Sequence, residues 1–312
     1  MRATMGTTYR SLLGNLNRIN SRLEELRVQT ASGKKLQRPS NDPSAIRPTL
    51  YARADIVSAN RFTRTINAGI DRIDNQDYYL DNMENILVRA KEISIAAVND
   101  SLNAEDRLTY ANEVAQLRKE LFDMGNAQFD GKYLFSGHQI HTRPFVENPA
   151  YDPVNDPRPV LYNGDNGAFN LATGPGEVTR VNITGNALLL GDADNDGVTD
   201  PDGTDVFGVM KRLEDALRNN DSAAIEAEMS GLESSMEQVR RHRSIMGNNG
   251  SRLEEALGRM ENMEIRMREI LSRYEDADLV ETIANLKKQE SALQAALAVT
   301  GRISELSILN YL

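Results

Sequence analysis

The 312-residue sequence contains no cysteine and no tryptophan, and aromatic residues make up only 5% of it. Without cysteine there is no disulfide framework and no thiolate chemistry, and a metal would need oxygen or histidine ligands. With so few rings, a thick globular core built on large aromatic side chains is not expected. No run approaches the ~18 uncharged apolar residues of a membrane span, so no membrane partner is expected. The opening stretch MRATMGTTYRSLLGNLNRI lacks the apolar run and small-residue cleavage site of a secretory signal. A net charge of −10 argues against a nucleic-acid binder, which normally carries a basic face. The densest basic spot, Arg240 to Arg243 (RRHR), reads as a solvated helix face. Composition alone suggests a soluble cytoplasmic protein.

Helix breakers are missing from most of the chain. All ten prolines fall between Pro39 and Pro201, seven of them from Pro144 onward, and eleven of 21 glycines lie between Gly131 and Gly208. Proline cannot continue a helix and glycine weakens one. The breakers therefore outline one irregular insert between two long segments free to be helical.

Tyr9, Leu12, Leu16, Ile19, Leu23 and Leu26 alternate spacings of three and four, the seam of a heptad helix. Gly33 suits the left-handed residue after that helix, and Asp42-Pro43 reads as the N-cap and first position of the next. From Ser44 a second helix runs toward Asn99 on the stripe Ile66, Ile70, Ile73, Leu80, Met83, Leu87 and Ala90, and a third spans Ala104 to Met124 behind the cap Asn103. After the insert, Val206 to Arg218, Ala223 to Met246 and Ser251 to Ser272 read as helical, the last with a methionine-rich stripe that fills a bundle seam. The final segment carries Leu279, Ile283, Leu286, Leu293 and Leu297, and then Ile303, Leu306 and Leu309 on an offset stripe. Two narrow stripes at the chain ends are best buried against each other and against neighbouring copies, so these helices are expected to fold on assembly. In the insert, Asn163-Gly164 and the run Val181, Asn182, Ile183 are hairpin signals.

The expected fold is mainly α with a β-rich insert: a long coiled-coil helical rod, made of terminal helices and a shaft bundle, carrying a small β domain at its tip. Its parts are a terminal coiled-coil domain (1–43 and 275–312), a helical shaft (44–140 and 207–274) and an outward-facing β-rich insert (141–206). If the insert is peripheral to assembly, removal of residues 146–206 leaves assembly largely intact; if it is a binding end, function is lost.

Three strings carry a resemblance. TASGKKLQRPSNDPSA (Thr30 to Ala45) is similar to a flagellin turn, and RYEDADLVETIANL (Arg273 to Leu286) to the start of the flagellin C-terminal helix. FDGKYLFSGHQIHTRPF (Phe129 to Phe145) resembles hook-associated proteins of the FlgL type within that superfamily. Flagellins proper usually carry Leu-Ser-Ser-Gly where this chain has Thr30-Ala31-Ser32-Gly33. The resemblance implies a structural subunit of the bacterial flagellum at the hook–filament junction that templates flagellin polymerisation, serving motility. It implies self-association in a ring, contacts with the junction protein FlgK and with flagellin, and a FlgN-type chaperone before type III export without a cleavable signal. The cytoplasmic reading then gives way to an extracellular one. A filament-forming flagellin is the nearer alternative, and a secreted calcium-dependent binding protein the more distant one.

The stretch GDADNDGVTD resembles a calcium loop, with Asp192, Asp194, Asp196 and Asp200 at positions 1, 3, 5 and 9. Position 12 is Gly203, which has no carboxylate, and a solvated acidic turn explains the composition equally well. No cofactor is required, with calcium the candidate ion. Glu275, Asp276 and Asp278 read as anions at a helix start, and His138 and His141 as a pair without further ligands. No phosphate-binding glycine loop and no Gly-x-Ser-x-Gly elbow is present, and no enzyme is expected.

Overall fold

A computed structural model describes residues 2–98, 102–153 and 157–309, with side chains described for 7, 9–98, 102–153 and 157–302. The chain divides into two compact units, Met1–Ala59 with Asn262–Leu312, and Asn60–Glu261. The division falls inside two long helices rather than at the turns near residues 43 and 275.

The first unit holds α1 (Arg2–Ser32), the beginning of α2 (Pro43–Ala97), the end of α5 (Ser222–Glu275) and α6 (Leu279–Leu309). Helix α1 stops where Gly33 takes φ 69° while its N–H still bonds the Gln29 carbonyl at 2.8 Å. Asp42 caps α2 by accepting the N–H groups of Ser44 and Ala45 at 3.0 and 3.3 Å. The Ser44 hydroxyl, donating to the same oxygen at 2.6 Å, holds that carboxyl below its usual range. Asp278 caps α6 in the same way through the N–H groups of Val280 and Glu281. Helices α1 and α6 pack against each other.

The second unit holds the rest of α2 and α5, together with α3 (Ala104–Gly125) and α4 (Val206–Arg218). At 55 and 54 residues, α2 and α5 are each about 80 Å long. The segments around Met246 and Ser251 are one continuous helix. Asn103 closes a capping box with Asp106 at the start of α3. Ile66, Ile73, Leu80, Met83, Leu87 and Ala90 of α2 are buried, as their period predicts, and Met246 and Met260 of α5 fill the seam.

Three two-stranded antiparallel sheets lie between α3 and α4: β1 (Gln128–Phe129) with β2 (Lys132–Tyr133), β3 (Phe145–Glu147) with β4 (Val160–Tyr162), and β5 (Asn170–Gly174) with β6 (Glu177–Arg180). The hairpin turns differ from those expected. Asp130-Gly131, both at positive φ (51° and 69°), makes the two-residue turn between β1 and β2. Pro175-Gly176 joins β5 to β6, whereas Asn163-Gly164 only follows β4. Val181, Asn182 and Ile183 form no strand; they are buried, with the Gln76 side chain donating to the Val181 carbonyl at 3.2 Å. A π-helical turn follows at Asn186–Leu190.

The scarce aromatics are concentrated rather than dispersed. Phe145 sits 5.4 Å from both Phe207 and Tyr162, and Phe122 lies 6.2 Å from Phe207, so four rings fill the joint between sheets and helices. Val160, Val181, Ile183 and Leu188–Leu190 belong to the same hydrophobic cluster as the helical residues Ile73, Leu121 and Leu253. The irregular segment therefore shares its core with the bundle. Deleting residues 146–206 would open that core as well as remove the insert, so such a deletion must be read together with a check of the fold.

Candidate assembly surfaces

The terminal stripes are covered unevenly. On α1, Leu23 and Leu26 near the turn are buried, whereas Leu12, Leu16 and Ile19 are only half-buried. On α6, Leu286 and Leu293 are half-buried, while Leu279, Ile283 and Leu297 are 46, 45 and 54% exposed. The more covered line on α6 runs through Thr282, Leu286, Leu293, Ala296 and Thr300, rotated from the stripe read in the sequence. A single partner helix covers only a narrow seam, and this helix is apolar over a wider arc than α1 alone can bury. Ile303, Leu306 and Leu309 lie on α6, but their side chains are outside the described residues.

The turns flanking these helices meet at a charged clasp that the sequence reading missed. Glu275, fully buried, ends α5 rather than beginning α6. Lys34 Nζ donates to its Oε2 at 2.9 Å, and Arg53 Nη2 approaches Oε1 to 2.6 Å, outside hydrogen-bonding angles. The backbone closes the same junction: Lys35 N–H donates to the Glu275 carbonyl at 2.7 Å and Ala277 N–H to the Gly33 carbonyl at 2.8 Å. A carboxylate is disfavoured at the negative end of a helix, so the two cations compensate its position as well as its burial. Lys34 lies in the first quoted string, Thr30–Ala45, and Glu275 in the second, Arg273–Leu286, while Arg53 lies in neither, so only three-dimensional pairing reveals the partners.

Of the four loop aspartates, the structure brings three together. Carboxylate oxygens of Asp192, Asp194 and Asp196 lie within 4.8 Å of one another. Asp200 instead accepts the Ala193 N–H at 2.7 Å. Asp192 accepts from Asp196 and Gly197 N–H at 3.2 and 2.9 Å, and Asp196 from Val198 N–H at 2.7 Å. Burial pushes the Asp192 carboxyl above its usual range, against the opposing pull of the Gly197 N–H. Arg158 donates to the Gly197 carbonyl and closes the loop from outside. These bonds shape the loop through its own backbone and leave further lone pairs on three converging carboxylates, the donor chemistry a hard cation takes.

The remaining candidates are structural. His138 lies edge-on to Phe169 at 5.2 Å, with its Nε2 3.2 Å from the Ala168 carbonyl. The RRHR face is not simply solvated: Arg240 pairs with Glu84 at 2.7 Å, and Arg243 with Asp77 and Asp81 at 2.8 and 2.7 Å, tying α5 to α2. His242 between them is pulled below its usual pKa by burial. Among the described residues no helix is long and apolar enough to cross a membrane.

Known proteins share this organisation. The bacterial flagellin N-terminal helical region matches residues 7–140, and the bacterial flagellin C-terminal helical region matches residues 229–312. The chain is 23% identical over 294 residues to flagellar hook-associated protein 3 of Escherichia coli, covering 89% of each chain. It is 22% identical over 313 residues to the protein of the same name in Salmonella typhimurium, covering 95% of each. The crystal structure of the flagellar junction protein FlgL from Legionella pneumophila superposes with a TM-score of 0.60 at 18% identity, covering 74% of this chain and 100% of that one. At that identity the structural likeness speaks for the fold alone.

Proposed function

Because the chain belongs to the flagellin family and resembles hook-associated relatives over most of its length, we infer that it is a structural subunit of the bacterial flagellum, assembling at the hook–filament junction. The family is a structural one, and flagellar components lie outside the cell. In this reading copies of the chain form a ring on FlgK and template flagellin polymerisation on the other face. A FlgN-type chaperone holds the terminal helices before export, which needs no cleavable signal.

One observation carries the reading: Leu279, Ile283 and Leu297 remain about half exposed on a helix whose partner is the equally half-covered α1. Fully burying such a side chain is worth roughly 1.5–3 kcal/mol, and with each about half exposed roughly half of that is left for neighbouring copies to gain. Assembly needs no cofactor in this reading. Calcium, if taken up by Asp192, Asp194 and Asp196, acts only within its own loop, and chelation leaves assembly intact.

The test is a chain lacking its last ten residues, 303–312, in cells that otherwise build flagella. Hooks should form while flagellin monomers leak into the medium. Filaments of normal length and number would overturn the junction role. Copy number separates the filament-forming alternative, since a filament protein is abundant and polymerises alone.

A further inference from the structure

The first turns of α2 are built inside out. The residues they bury are small: Ala45, Thr49, Ala52 and Ala59 are 4% exposed or less. The large apolar residues point away, with Leu50, Tyr51 and Val57 at 60, 61 and 69% exposure. Positions 47, 50, 51, 54, 57, 58 and 61 follow the spacing of a single helix face. Arg47 stands at one end of it, its guanidinium over the Tyr51 ring at 6.0 Å, and Arg61 at the other. Neither arginine has a carboxylate partner among the described residues. Folding of the subunit alone would favour the opposite placement, since a buried leucine gains far more than a buried alanine.

The second unit carries a surface of complementary character. Between α2 and α5 lies a groove of about 590 Å³ lined by Asp74, Asp77, Tyr78, Gly247, Gly250 and Glu254. Asp77 is spent on Arg243, but Asp74 and Glu254 are exposed and form no ion pair among the described residues. Tyr78 is 65% exposed at the rim. Nothing lies within 4 Å of where a Cβ on Gly247 would stand, so no contact within the subunit demands glycine there. Mid-helix glycine is unfavourable, and its use is close approach by another backbone.

We propose that the α2 face formed by Arg47, Leu50, Tyr51, Val57 and Arg61 docks onto a second copy of this chain, in the groove bounded by Asp74, Tyr78 and Glu254. The proposal rests on the ring inferred above and names its contact. A closed ring of more than two copies needs a head-to-tail interface, so every copy must present two different, mutually complementary surfaces. A basic, apolar face and an acidic groove with a low floor and an aromatic rim meet that requirement. The charges set partner and orientation, and the apolar groups supply the burial.

The absence of native cysteine makes the contact directly testable. Full-length Val57→Cys and Gly247→Cys chains are co-expressed in flagellated cells, and isolated flagella are oxidised and run without reductant. Disulfide-linked dimers are expected from the mixture and from neither variant alone. Separately, Arg47→Glu with Arg61→Glu should lower the amount of chain retained on flagella about tenfold or more, and adding Asp74→Arg with Glu254→Arg in the same chain should restore it. All these positions are exposed or open, and far-UV circular dichroism of the purified variants checks the fold. If a lysine cross-linker joins copies on the same flagella but the cysteine mixture gives no dimer, the ring stands and this contact is overturned. If the lysine cross-linker joins no copies, the ring fails and the contact with it. Loss of retention without rescue assigns the α2 face to a different partner and also overturns the proposal.

Discussion

Along α2, one register position recurs every seven residues as Ala45, Ala52, Ala59, Ile66, Ile73, Leu80 and Leu87, and all seven are 4% exposed or less. The three alanines belong to the unit containing the termini, and the four larger residues to the unit containing the sheets. The same helix, with the same geometry, thus buries a methyl group in one unit and a branched four-carbon side chain in the other. At ~0.8 kcal/mol per buried methylene, each exchange forgoes roughly 2 kcal/mol. The sheet-bearing unit can stabilise itself. The terminal unit buries Leu23 and Leu26 but leaves Leu50, Tyr51, Val57 and Leu297 on outer faces, more than half exposed, where other chains can use them.

This contrast is sharpest at Phe207, fully buried and edge-on to Phe145 and Phe122. Phe207→Ala should cost about 3–5 kcal/mol, because it removes the centre of a cluster joining α3, α4 and the β3–β4 sheet. Denaturant unfolding followed by far-UV circular dichroism measures it. A cost below about 1 kcal/mol would mean that the sheet-bearing unit is as loosely held as the terminal one, and the comparison would fail.

The next effect is electrostatic. Asp205 caps α4 through the Gly208 N–H at 2.9 Å, yet its burial raises the carboxyl from the usual 3.8 to about 6. The folded state therefore holds this proton more tightly than the unfolded chain. The stability linked to it is fully present below about pH 4 and is lost as pH rises through about 6, an effect on the order of 3 kcal/mol. Asp205→Asn keeps a capping oxygen and removes the titration. Its stability should be flatter than that of the parent between pH 4 and 6, measured by denaturant unfolding at each pH. Equal slopes would place the proton elsewhere.

Much of the helical framework was legible because its signals are periodic or local. The heptads on α1 and α2, the Asn103 and Asp42 caps and the left-handed Gly33 each depend on neighbours within a few positions. The misses depend on pairings across the chain. Asp130-Gly131 carries a strong local hairpin signal, but the strands it joins are two residues each, too short to show alternation. Val181 to Ile183 alternates like a strand, but although the Val181 N–H still reaches the Phe169 carbonyl at 2.8 Å, the Val181 carbonyl is taken by Gln76 on a distant helix and the ladder ends there. Asp192, Asp194 and Asp196 converge as their spacing implies, while Asp200 is diverted to the Ala193 N–H, a bond that spacing does not reveal. At the termini, the sequence marked which residues are apolar but not which half of that arc α1 would cover.

Glu275 offers the gentlest probe, since the terminal unit is joined there by charge where its counterpart is joined by rings. The carboxylate is buried, but Lys34 and Arg53 keep 47 and 56% of their side-chain surface in solvent. Glu275→Gln removes the charge while keeping shape and one acceptor, and both cations can return to water without being stranded. The full penalty of breaking a buried pair therefore does not apply, and a loss of about 1 kcal/mol is expected. That loss should appear locally, as faster amide hydrogen exchange in α1 and α6 with α4 unchanged. If exchange in α4 rose by the same factor, the clasp would be holding both units as one cooperative block. The division drawn from the Ala-to-Ile change along α2 would then describe packing density but not stability.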